Sequence, residues 1–331
     1  MGLWLNKEGE QMSFLKYDLN KLVSNDHELK KIFKLINFKT VALDFKELLK
    51  DLGRNGYGLE LGIRSLFLQF YYDHSDRQIR DKLRYDIVSK WFCKLKIDDP
   101  TPDHSFFCRM RKRLGTEGVA KILQKINRQA KKKGLMRKVF SFVDSSAIKA
   151  KEATWEERDK ALKAQEESLN NSNVNKYSAD PDARFGCKGK NKFWYGYKKH
   201  ASVDMGSGLI NKIAVTPANV TDQEGLKHIC PEQGAVFADK QYCCKRAQEI
   251  LKDNNCHSAA ILKNNMLNKN KDKDRWISKV RAPFEGVFSK MSKRTKYKGL
   301  AKVELQVFWE AIAFNVKRLV VIDSPPLFAA A

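Results

Sequence analysis

The chain has 331 residues, with 63 Lys and Arg against 39 Asp and Glu, a formal net charge of +24 and a pI near 9.6. That length allows two domains, and so large a cationic excess favours a polyanionic partner over a merely solvated lysine-rich surface. No run of 18 apolar residues offers a membrane span. Lys7, Glu8 and Glu10 break any apolar secretory segment, and seven scattered cysteines fit a reducing cytoplasm rather than a disulfide framework.

Residues 1–138 read as helical. Leu29, Ile32, Phe33 and Ile36 fall at the i, i+3, i+4, i+7 spacing of one helix face. Residues 58–72 are densely apolar, with Arg64 among them, as in a buried helix. Ser75, with Gln78 three residues on, predicts a capped helix start. After the turn Asp98 to Asp103 comes a basic helix, Ser105 to Leu114. Phe106, Phe107, Met110 and Leu114 form its apolar stripe, and Arg109, Arg111, Lys112 and Arg113 cover most of the rest. A turn leading into a basic helix suits DNA binding; an ordinary amphipathic helix with a solvated face fits the pattern as well. Arg128 to Lys138 reads as a basic connector.

From residue 139 the periodicity changes. Val139–Val143 predicts a first strand. Gly196–Asp204 and Leu209–Val215, joined by a turn at Gly208, predict a hairpin. A helix begins at Thr221, a fourth strand spans Ala235–Ala238, a helix spans Lys245–Lys252, and a fifth strand spans Ser258–Leu262. Further helices are expected from Glu285 and over Val303–Leu319. The polar stretch 150–192 between the first two strands reads as a helix followed by a mobile loop, an insertion rather than a domain. The expected fold class is α/β: a ribonuclease H-like mixed sheet flanked by helices over 139–331, preceded by an all-helical N-terminal domain over 1–138.

In that strand order the first and fourth strands are neighbours. Asp144 and Asp239, which follow them, would then sit side by side at strand ends, where sites gather in open α/β sheets. Adjacent carboxylates repel unless a cation lies between them. Mg²⁺ takes oxygen ligands, and two such ions activate an attacking oxygen and stabilise a leaving one. Glu285, in the amphipathic segment Phe284 to Met291, is the third acid. Taken singly, each has an ordinary explanation: Asp144 and Asp239 as turn or cap residues, and Glu285 as a helix-start glutamate just after Pro283. His200 on the second strand reads as structural. Trp194 and Tyr195 read as loop anchors more readily than as base-stacking groups. Cys243-Cys244 and Cys256-His257 lack zinc-ligand spacing.

The combination resembles the IS5 family of insertion-sequence transposases, within the IS4-like group of DDE transposases. The resemblance runs through most of the chain. It is carried by Ser75-Asp76-Arg77, Trp91-Phe92, Pro102-Asp103-His104-Ser105, Val143-Asp144-Ser145-Ser146 and Asp180-Pro181-Asp182-Ala183-Arg184. It continues through Gly196-Tyr197-Lys198-Lys199-His200, Thr216-Pro217-Ala218-Asn219-Val220-Thr221-Asp222, Ala238-Asp239-Lys240-Gln241-Tyr242, Arg281, Glu285 and Arg294 to Leu300.

The resemblance implies a catalytic, metal-binding triad of Asp144, Asp239 and Glu285 holding two Mg²⁺, with Mn²⁺ able to substitute. It further implies cleavage of double-stranded DNA at terminal inverted repeats, joining of the freed 3′-hydroxyl to target DNA, and a homodimer or higher oligomer in the synaptic complex. A nuclease without strand transfer and an inactive DNA-binding derivative are the alternatives. The group's pattern Y-x2-R-x3-E-x6-K is only partly kept, because Ser278 and Ser292 stand at the Tyr and Lys positions. Arg281 keeps its place and is assigned to phosphate, with Lys290 and Lys293 as nearby substitutes and Arg109, Arg111 and Arg113 as N-terminal DNA contacts.

Overall fold

A computed structural model describes residues 18–45, 47, 57–137, 139–151, 154–189, 191–266 and 269–323. The chain divides into two compact units, Met1–Arg113 and Leu114–Ala331. The division falls within the helix His104–Lys132, where Gly115 adopts φ 58° and ψ −179°. That backbone conformation is essentially closed to residues with a Cβ.

The first unit is helical. Ser75 and Gln78 make the reciprocal capping box at the start of Asp76–Tyr85, as their spacing predicts. The apolar segment forms the helix Leu59–Tyr71 over a core of Leu29, Ile32, Phe38, Ile63, Phe67 and Phe92. Arg64 lies inside this core. Its guanidinium stands 4.6, 4.9 and 5.2 Å from the ring centres of Phe33, Phe38 and Phe92 and pairs with Glu60 at 2.8 Å. A delocalised, weakly hydrated cation can be buried in this way when rings and a carboxylate surround it.

The second unit is built on a mixed sheet of β1 (Phe140–Lys149), β2 (Arg184–Lys188), β3 (Lys192–Asp204), β4 (Ile210–Pro217), β5 (Gly234–Ala238) and β6 (Cys256–Ala260). β4, β3 and β1 are successive antiparallel neighbours. β5 and β6 continue the sheet in parallel from β1. β2 adds a short antiparallel partner to the start of β3. Under one face, Val143, Leu226, Ile229, Val236, Ala247, Ile250 and Leu251 form a core between the sheet and the helices Asp222–Ile229 and Lys245–Asp253. The C-terminal helix Leu300–Asp323 packs on β4.

Three elements differ from expectation. β1 does not stop at Val143 but runs to Lys149, because β3 on its other side pairs with it as far as Lys149↔Gly196. The stretch 150–192 is not a loop after its first helix. It contains the helix Trp155–Lys163, the short helix Val174–Tyr177 and β2. It is pinned by Tyr197 Oη donating to Asp180 at 2.7 Å and by Asn171, which accepts from Phe185 N at 2.7 Å. Glu285 does not open a helix; it closes the helix Lys271–Glu285. Asn270 caps that helix by accepting from Asp272 N and Lys273 N. Asp272 and Asp274 favour its positive end. Pro283, which removes a backbone donor, sits near its finish rather than its start.

Candidate active site

The parallel ladder between β1 and β5 covers Phe140↔Ala235, Ser141↔Val236 and Phe142↔Phe237. Carried two residues further, that register brings Asp144 level with Asp239, the residue immediately after β5. Asp239 turns out of the strand as the cap of the short 3-10 helix Lys240–Tyr242 and accepts from Gln241 N at 2.8 Å. Asp144 accepts from Ser145 N at 2.8 Å. Both aspartates line one cleft, together with Lys188, Trp194, Lys198, Asp222 and Gln241. The cleft, about 90 Å³, is too small to enclose a nucleotide.

Burial pushes the Asp144 carboxyl up to about 6, and the Asp239 charge adds to the rise. Its own backbone bond and the cations Arg281 and Lys188 pull the other way without cancelling it. Two half-buried carboxylates at one level, one of them resisting ionisation, form a donor set suited to a hard divalent cation.

Arg281 is buried at 6 % exposure. Its guanidinium lies 5.4 Å from the Phe142 ring centre, close enough to Asp144 to lower its pKa. Glu285 is one helical turn on, with its side chain 59 % exposed and Oε1 3.9 Å from Arg281. Glu285 does not line the cleft, and among the described residues no group of three or more His, Cys, Asp or Glu is gathered tightly enough to hold a metal ion. The structure thus sets the two aspartates in one cleft, while Glu285 stays outside it, 3.9 Å from Arg281.

The remaining expected contacts separate by burial. Lys290 and Lys293 are exposed beyond the end of the Lys271–Glu285 helix and are not part of the cleft. Arg109 and Arg113 are exposed on the basic helix. Arg111 is not available to DNA. It is buried and grips Asp76 with two hydrogen bonds of 2.7 and 2.6 Å, with Gln69 accepting a third contact at 2.9 Å. His200 is fully buried, shares a hydrogen bond with Thr216 Oγ1 at 2.9 Å, and is pushed down to about 4 by desolvation, as a structural histidine would be. Tyr195 anchors the preceding segment by donating to the Asp180 carbonyl at 2.6 Å.

Lys198 and Asp222 carry no assigned role in the sequence reading, yet both line the cleft. The signal was available: each ends or interrupts a motif, and the two motifs fall on β3 and just after β4, which are paired strands.

Residues 136–316 match the family model described as the transposase DDE domain, and residues 17–113 match one described as a transposase domain (DUF772). No solved structure matches the chain significantly.

Proposed function

The chain belongs to the transposase DDE-domain family, and from that premise we propose that it binds the terminal inverted repeats of an insertion sequence, cleaves the DNA at the element's ends and joins the freed 3′-hydroxyls to target DNA. The observation that supports this most directly is the Asp144–Asp239 pair, set side by side by the β1–β5 register and opening on one cleft. We read the sheet, with its β4-β3-β1-β5-β6 order, as ribonuclease H-like, and the chain as one of the IS5 group.

In this reading Asp144, Asp239 and Glu285 are the DDE triad and would hold two Mg²⁺, or Mn²⁺ in their place. The ions would supply Lewis-acid activation of the attacking oxygen and charge stabilisation of the leaving one. The protein's own task is positioning. Asp144 is fixed by the Ser145 N–H on a strand that β3 still pairs at that point, and Asp239 by the turn it caps. Arg281 is held by burial against Phe142; it does not line the cleft, and it would act through its charge, which already reaches Asp144, on the negative charge that builds on the phosphoryl oxygens. Glu285, 3.9 Å from Arg281 at the end of its helix, would supply the third carboxylate. The N-terminal helical unit would contribute DNA contacts through Arg109 and Arg113 and assembly of a dimer or higher oligomer.

Transesterification needs no external energy source, since one phosphodiester is exchanged for another. In a test, purified protein is incubated with supercoiled plasmid carrying the DNA that flanks both sides of the gene, with Mg²⁺ or Mn²⁺. Excised and joined products support transposition. Nicks without joining would reduce the protein to a nuclease, and binding without metal-dependent cleavage would leave it a DNA-binding protein.

A further inference from the structure

We infer that Lys198 is a phosphate-contacting cation of the cleft, standing in for the lysine absent at Ser292, and that Asp222 holds it in place until DNA arrives. This rests on the reading of Asp144 and Asp239 as the DNA-cleaving pair. The position at which the group's pattern has a lysine is Ser292, whose contribution here is a backbone carbonyl that accepts from the buried Lys199 at 2.8 Å. Lys290 and Lys293, the nearby substitutes in sequence, are exposed and outside the cleft.

Lys198, by contrast, is in the cleft and only 14 % exposed. Its ammonium donates to the Val220 carbonyl and to Asp222 Oδ1, both at 2.9 Å. An ammonium has three donors, so one remains for a ligand. Opposite Lys198 on β1 is Ala147, too small to fill the space between them. Asp222, itself 15 % exposed, balances the lysine's charge in the absence of DNA, so that no bare cation is buried beside the aspartates. Tyr242 lies within the field of the same carboxylate. Tyr242 is 1 % exposed, its hydroxyl has no hydrogen-bond partner, and Asp222 is the charge that acts on it most strongly. A phosphate entering the cleft competes with Asp222 for Lys198.

The test compares wild type, Lys198→Met, Lys198→Arg and Asp222→Asn. Binding to a labelled duplex from the gene's flank is measured in Ca²⁺ across a salt series, and plasmid cleavage in Mg²⁺, with melting curves as the folding control. Asp144→Ala serves as the reference for lost chemistry. If wild type cleaves and Asp144→Ala does not, the underlying reading stands and the variants report on Lys198 alone. Lys198→Met is expected to cleave at least tenfold more slowly and to lower the slope of log K against log salt by about 0.9, the signature of one lost phosphate contact. Lys198→Arg should recover part of both, and Asp222→Asn should bind DNA at least as tightly as wild type. A folded Lys198→Met with wild-type salt slope overturns the inference whatever its cleavage rate. So does weaker DNA binding by Asp222→Asn.

Discussion

Asp144 and Asp239 are level with each other although they belong to different kinds of backbone. One lies within a strand that continues to Lys149, the other at the first residue after a strand that has ended. β1 goes on past β5 with β3 as its remaining partner, and the cleft opens where β1 and β5 part. A ligand there meets two carboxylates whose positions derive from one ladder, and each is already held by a backbone N–H.

The first prediction follows from the elevated Asp144 pKa. The folded carboxyl binds its proton more tightly than the unfolded one, whose ordinary value is 3.8. Its contribution to stability is therefore greatest below about 4, falls as pH rises toward 6, and remains a cost above that. Asp144→Asn should raise metal-free stability at pH 7.5 by on the order of 1–3 kcal/mol, with no gain at pH 4. The same variant should lose the melting-temperature rise that Mg²⁺ gives wild type. Thermal melts at the two pH values, with and without the metal, check both statements; equal melting temperatures at pH 7.5 would contradict the first.

Glu285 should behave differently. It is exposed at the end of its helix, at the negative end of the dipole, where a carboxylate gains nothing from the backbone. Glu285→Gln is expected to leave metal-free stability within about 0.5 kcal/mol of wild type while reducing plasmid cleavage by at least a hundredfold. Cleavage at the wild-type rate would remove Glu285 from the triad.

Arg111 and its helix neighbours should part company in a binding assay. Burial alone would raise the Asp76 carboxyl, but the hydrogen bonds and charge of Arg111 outweigh it and hold Asp76 below the usual range. The pair's stabilising effect is present above the unfolded carboxyl pKa and is lost as pH falls through the lowered one. At pH 7 Arg111→Ala should cost about 2–4 kcal/mol, since it strands a half-buried carboxylate. Arg109→Ala and Arg113→Ala should melt like wild type, and each should lower the salt slope of DNA binding by about 0.9 if it contacts one phosphate. Unchanged slopes in both would move the N-terminal DNA contact elsewhere.

Gly115 is the fourth test. At φ 58° and ψ −179° an alanine is strained although open space surrounds it, so Gly115→Ala should destabilise the protein by about 1–3 kcal/mol. A neutral substitution, measured by chemical denaturation, would mean the helix can run straight through this point.

Much of the second unit could be read from residue patterns, because strands with one buried face alternate and capped helices announce their starts. Thr221 caps its helix as expected, and the hairpin of β3 and β4 turns where Gly208 takes φ 74°. What escaped the pattern was set by distant partners. β1 is extended by β3, which local periodicity does not reveal. Asp180 and Asp182 read as polar loop residues. Yet Asp180 accepts from Gly299 N and Asp182 from Leu300 N, so together they cap the C-terminal helix from more than a hundred residues away. Arg111 looked like its neighbours until Asp76 and Gln69 closed around it. Of the three acids, the two on the sheet could be placed from strand order. The third could not, since the helix start lay at Asn270, where no apolar stripe signals it.

The helix after Gly115 also bears on where this chain can be cut. Asn127 donates to the carbonyls of Ile210 and Asn211 and accepts from Asn315, and Asn315 in turn accepts from Ile210 N. Asn315 is fully buried. Residues 114–135 fall between the two matched family spans, yet a fragment begun at 136 would lack Asn127, the side chain that joins the Asn315 amide to the Ile210 and Asn211 carbonyls. A fragment that keeps the second unit's contacts whole therefore starts near Gly115, ahead of the border that sequence likeness draws.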